Sequence, residues 1–174
     1  MKKTAFYYGT ISGIIMVLCF LVPYFIYGNN VDFSKGEIIG YTAMVLCLTA
    51  VFFGIRFYRD KKLDGYISFG QAMGLGSEIS GIAGIIFGIY TFVLYRFFAT
   101  DLPQRLMEYY KNQIINSGQS KEVIALKLAQ MQEQAGFYSN PIAMAVVMMF
   151  TVFLIGIALS LISSFILKKK KPIQ

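Results

Sequence analysis

Residues 68–98 read SFGQAMGLGSEISGIAGIIFGIYTFVLYRFF, and the fold turns on this stretch. Ser68 followed three positions later by Gln71 matches a capping box, which starts a helix near Phe69. From Phe69 to Phe98 there is no proline, and the charges are Glu78 and Arg96 alone. At about 1.5 Å per residue such a helix is roughly 45 Å long, well beyond the ~30 Å of a bilayer's hydrocarbon core. The excess is expected to project into the cytoplasmic interface as Phe69–Gly76. Gly76, Ser80, Gly84 and Gly88 recur every four positions and so share one helix face, with Gly70 and Gly74 extending the pattern. Small residues at that spacing let two helix backbones approach closely. The spacing predicts a membrane-spanning helix with a packing face, whose mate is another span of this chain or a second copy. Gly9 and Gly13 in one apolar stretch, and Gly156, Ser160 and Ser164 in another, are candidate mates. They make intramolecular packing the preferred reading.

Three further segments reach the length a bilayer demands. They are about 4–27, interrupted by Pro23; about 38–58, with Arg56 near its end; and about 142–167, opening after Asn140-Pro141, where proline suits a first helical turn. Composition agrees: of 174 residues, 56% are hydrophobic and 14% charged, against roughly a quarter charged in a soluble domain. The first segment is too long for a signal-peptide core and no small-x-small site follows it, so it is read as an uncleaved span. The chain is expected to be a single membrane domain, residues 1–174.

Basic residues set the orientation. Lys2 and Lys3, the Arg56–Lys62 cluster and Lys168–Lys171 fall on one side, where the net charge is +8. The charges of the opposite side cancel, and Glu78 accounts for the difference from the overall +7. The positive-inside rule then predicts both termini in the cytoplasm. The basic balance is topology and implies no nucleic-acid partner. Tyr7, Tyr8 and Tyr58 at the inner ends, and Tyr24, Tyr27, Tyr41 and Tyr95 at the outer ends, supply the aromatic belt in a chain without tryptophan.

The segment 99–140 is the sizeable extramembrane region. Asp101 with Gln104 resembles a second capping box; Leu102, Leu106, Tyr110 and Ile114 then repeat every four residues as far as the break at Ser117-Gly118. After Ser120, Ile124, Leu128, Met131 and Ala135 form a second stripe. The expected fold is therefore all-α: an integral bundle of four transmembrane helices with an external amphipathic helical hairpin between the third and fourth.

Glu78 is the one carboxylate inside a span, a position that by default marks function. Arg56 lies at a similar depth on the preceding span, so an Arg56–Glu78 ion pair is the expected reading. An interfacial carboxylate and an ion or proton site are the alternatives. Histidine is absent, Cys19 and Cys47 both sit in apolar runs, and no phosphate-binding loop, dinucleotide fingerprint, metal-ligand cluster or nucleophile–base pair is present. No cofactor, metal or catalytic residue is expected, nor enzyme activity.

Tyr8-Gly9 with Gly13, Tyr58-Arg59-Asp60 followed by Gly65, Ser68-Phe69-Gly70-Gln71-Ala72, and Tyr90 and Tyr95 before a helical outer segment follow one another in order. Together they resemble a family of four-span Bacteroidota proteins known as domain of unknown function 4199. The resemblance covers nearly the whole chain and implies an inner-membrane location and four spans. It implies no activity, ligand or catalytic residue. Family members often read Asp-Pro where this chain has Asp101-Leu102-Pro103. The leading expectation is a non-enzymatic subunit or accessory protein that acts through helix packing and its external hairpin. It would sit in the lipid bilayer as a homo-oligomer or beside a membrane-protein partner. The alternative is a small transporter or channel using Glu78.

Overall fold

The computed structural model describes residues 1–27 and 33–169. Asp32, Lys170 and Lys171 lie outside the described residues, as does the side chain of Tyr27. The chain folds as α1 (Lys2–Tyr27), α2 (Phe33–Leu48), α3 (Ala50–Lys62), α4 (Phe69–Val93) with a π-helical last turn (Leu94–Phe98), α5 (Leu102–Ile115), α6 (Lys121–Tyr138) and α7 (Pro141–Leu167). Among the described residues, four stretches are long and apolar enough to cross a membrane: Lys2–Ile26, Lys35–Lys62, Phe69–Phe98 and Pro141–Leu167.

Side-chain distribution explains what these helices want around them. Leu18, Phe25, Ile39, Phe53, Ile89, Leu154 and Ile166 are exposed, whereas Ser12, Ser80, Ser160 and Ser164 are fully buried. In water that arrangement would sacrifice apolar burial; in lipid, tails solvate the large side chains and the small ones let backbones meet.

The helix at the centre is α4. Its N-terminus carries the expected box: the Ser68 side chain accepts from the Gln71 N–H and the Gln71 side chain accepts from the Ser68 N–H. One face meets α7 antiparallel through reciprocal notches. A Cβ placed on Gly76 would lie 2.7 Å from Ser160 Cβ, one on Gly156 would overlap the Ser80 side chain, and one on Gly88 would lie 3.1 Å from the Ala145 carbonyl oxygen. Another face meets α1 parallel, where a Cβ on Gly9 would be 2.9 Å from the Ile79 carbonyl and one on Gly13 would be 2.9 Å from Ile86 Cβ. The segment Phe69–Gly76, expected to reach into the interface, does not stand alone there but is packed. Ala72, Leu75 and Gly76 are buried and the Phe69 ring lies 4.9 Å from that of Phe165, because α7 is as long as α4 and covers it.

The second span departs from a single straight helix. It extends beyond the expected 38–58 at both ends and breaks at Thr49. There the Thr49 hydroxyl donates to the Leu46 carbonyl at 2.7 Å, and its N–H bonds the same oxygen at 3.2 Å. Such back-bonding by threonine bends a helix. The Ser12 hydroxyl of α1 reaches across to the Cys47 carbonyl at 2.8 Å, which satisfies a backbone acceptor next to the break where no water is at hand.

One end of the bundle is tied together. Ile67 and Lys169 exchange backbone hydrogen bonds of 3.1 and 2.9 Å, and Arg59 donates to the Leu167 carbonyl at the end of α7. The opposite end carries α5 and α6, joined through Gly118 with φ +69°, a left-handed conformation that glycine adopts without penalty. Asp101 does not form the expected cap on α5. Its φ of −91° and ψ of −11° are helical rather than extended, and its carboxylate pairs with Arg105 at 3.1 Å. At the foot of this end, Tyr24 of α1 donates its hydroxyl to the Phe98 carbonyl at 2.9 Å, occupying a carbonyl of the π turn.

Candidate functional site

The charged pair expected from sequence is not formed. Arg56 lies 3.7 Å from Asp60, one turn further along α3, and its side chain is 59% exposed. Residues four apart share a helix face, so Asp60 is always within reach of Arg56. Glu78, half-buried on α4, makes no ion pair among the described residues. Arg56→Met and Glu78→Gln are therefore expected to act independently, additive within about 0.5 kcal/mol. A double-mutant cycle on the detergent unfolding midpoint checks this; a coupling of 1 kcal/mol or more would place the two charges in contact. The small-residue face, Gly76, Ser80, Gly84 and Gly88, is occupied by α7 of the same chain. The small-residue face is thus covered within the chain.

A concave surface lies at the end opposite the Ile67–Lys169 bridge. It is a crevice of about 800 Å³ between the α5–α6 pair and the first turns of α2 and α7, within the ~300–1,000 Å³ range of small-molecule sites. Its floor belongs to the spans. Gly40, Tyr41 and Met44 come from α2, Met144, Val147 and Met148 from α7, with Phe20 of α1 and the buried Tyr95 behind them. Glu37 to Met44 covers two turns of α2, so the crevice runs about 10 Å down the helix. Methionines recur around it, Met107 and Met131 facing Met44, Met144 and Met148. Unbranched and polarizable, they adapt to an irregular apolar occupant.

Its roof is more polar. On α5 the expected stripe supplies Leu106, Tyr110 and Ile114, with Pro103 leading it and Gln113 alongside. On α6 the crevice shares only Met131 with the apolar stripe. Lys127, Gln130, Met131, Gln134 and Tyr138 face it, whereas Ile124 and Leu128 do not. Tyr110 donates its hydroxyl to the Glu37 carboxylate, joining α5 to α2. Burial, then the Glu37 bond, push the Tyr110 hydroxyl well above the usual tyrosine range, so it stays a donor at any physiological pH. Glu37 and Lys127 are the charged residues among the described lining; Glu37 is engaged by Tyr110, and Lys127 is exposed and forms no ion pair among the described residues.

Sequence reasoning did not single out Glu37, Lys127, Gln130 or Gln134. A signal for them existed in the i, i+3, i+4, i+7 spacing of Lys127, Gln130, Met131 and Gln134, but a polar line reads as a solvated helix face unless something packs over it.

A family model described as protein of unknown function (DUF4199) matches residues 7–169, and the chain belongs to that family. No curated protein and no solved structure matches it.

Proposed function

We propose that this family member is a non-enzymatic accessory protein of the bacterial inner membrane, with both termini cytoplasmic, and that it acts by binding at the crevice under α5 and α6. One observation carries the reading: a crevice of about 800 Å³ joins the paired helices to the spans and is lined by adaptable apolar side chains, with Lys127, Gln130 and Gln134 on its α6 side. Its chemistry suits holding rather than turnover, since Glu37, the carboxylate among its described lining, is held by Tyr110. The orientation is supported by the basic residues. Arg59, Lys61, Lys62 and Lys169 gather at the bridged end, and α5–α6, whose charges nearly cancel, occupies the other. Transport through Glu78 has less support, because Glu78 is not among the residues lining the crevice.

Two measurements test this. Topology reporters fused after residue 174 and near residue 63 should read cytoplasmic, and one near Gly118 external; an external C-terminus overturns the orientation. A photoreactive residue at Met107, inside the crevice, should capture a discrete species in intact membranes, whereas one at the lipid-facing Leu154 should give only diffuse lipid adducts. Identical products at the two positions would remove the crevice as a binding site.

A further inference from the structure

We propose that the occupant of this crevice is a long acyl chain carrying an anionic head group, seated chain-down between α2 and α7 with its head beneath α6. The inference rests on the binding role proposed above and names its ligand class.

The lining is mostly apolar, Met44, Met144 and Val147 on the spans and Met107 and Met131 on the paired helices, and a few polar groups, Lys127, Gln130 and Gln134, share one line of α6. An amphiphile matches that combination, whereas a wholly polar solute would strand its groups against methionine. The apolar floor is a poor place for water, which needs two to four polar partners. The bilayer around it is an abundant source of acyl chains. A transmembrane helix from another protein is a poorer match, because the crevice follows α2 for only about 10 Å, a third of such a helix's length. The sign of the head group follows from the rim. Glu37 keeps its charge but is held on the α2–α5 side by Tyr110, so on the α6 side the charged lining residue is Lys127, with the Gln130 and Gln134 amides one and two turns along as neutral donors.

A fatty acid and an anionic phospholipid share this chemistry, and native mass spectrometry of the intact protein, released gently from detergent, separates them by mass. The expected result is a stoichiometric acyl-chain adduct on the unaltered chain. Met131→Trp intrudes into the crevice and should lower its occupancy by about tenfold. Lys127→Glu alters an exposed side chain that the fold does not use, and should weaken anionic amphiphiles several-fold while sparing an uncharged monoacylglycerol. An adduct equally abundant in both variants is lipid at the bundle surface and overturns the proposal. So does a Lys127→Glu variant that binds anionic and uncharged amphiphiles alike. If the Met107 photoprobe captures a polypeptide, the acyl ligand is wrong while the binding role stands. If neither probe nor mass spectrum finds an occupant, both fall.

Discussion

Gly84→Ile should unfold the bundle at a markedly lower temperature, by the equivalent of about 3 kcal/mol or more. A Cβ at residue 84 would lie 2.8 Å from the carbonyl oxygen of Met149. That atom belongs to the backbone of α7 and cannot rotate aside, so α7 must move bodily. The movement would open the neighbouring contacts at Gly76 and Gly88 on the same seam. Isoleucine adds a branch at the same carbon, which deepens the clash. Ile85→Leu, one position along and 52% exposed on the lipid side, should leave the midpoint where it is. Since the seam lies within one chain, the Gly84→Ile protein should melt earlier without any change in particle mass by light scattering. Equal midpoints for the two variants would sink the seam as a determinant of stability. A halved particle mass would show that copies of the chain meet there instead.

The reciprocal notches predict a second large effect with a built-in rescue. A methyl group on Gly156 overlaps the Ser80 side chain, so Gly156→Ala should cost about 2–3 kcal/mol, the range typical of an overfilled core. Ser80→Gly alone should cost about 1 kcal/mol, because glycine weakens a helix interior and the hydroxyl's bond to the Gly76 carbonyl is lost. In the double variant the obstructing atoms are gone, and the nearest remaining one, Ser80 Cα, stands 3.4 Å from the new methyl. The pair should therefore be more stable than Gly156→Ala alone, a reversal that independent sites never give. Thermal melts of the four proteins in one detergent measure it. A double variant less stable than both singles would mean that α7 does not seat on Ser80.

What was legible in the sequence follows from which forces dominate where. The four long helices are fixed by the expense of an unsatisfied backbone in lipid, so length and hydropathy suffice to find them. The α4 start was legible because the Ser68–Gln71 box is local, and the α4–α7 seam because small residues spaced by four admit few alternatives. The Thr49 break was not, since threonine often sits in helices without bending them and nothing nearby marked Ser12 as the partner of the Cys47 carbonyl. The Arg56–Glu78 expectation compared depth along two helices but not rotation about them, and Asp60 stood closer in sequence and in space. The crevice was out of reach for the same reason. Its lining draws on six helical segments, and Lys127 or Gln134 acquires a role only once α6 is laid against the spans.

The tie between Ile67 and Lys169 also has a consequence for how the protein is made. The chain emerges from its N-terminus, so α4 enters the membrane while α7 is still unsynthesised. At about 5–20 residues per second, several seconds separate the last turn of α4 from the last turn of α7. Throughout that interval the notches at Gly76, Gly84 and Gly88 face lipid or the insertion machinery instead of their mate. The strand-like clasp closes only after α7 has been made, because Lys169 lies beyond its last turn. A chain truncated before residue 169 should therefore insert all four spans yet leave the basic end unfastened, and cysteine accessibility at Ile67 would report that half-finished state.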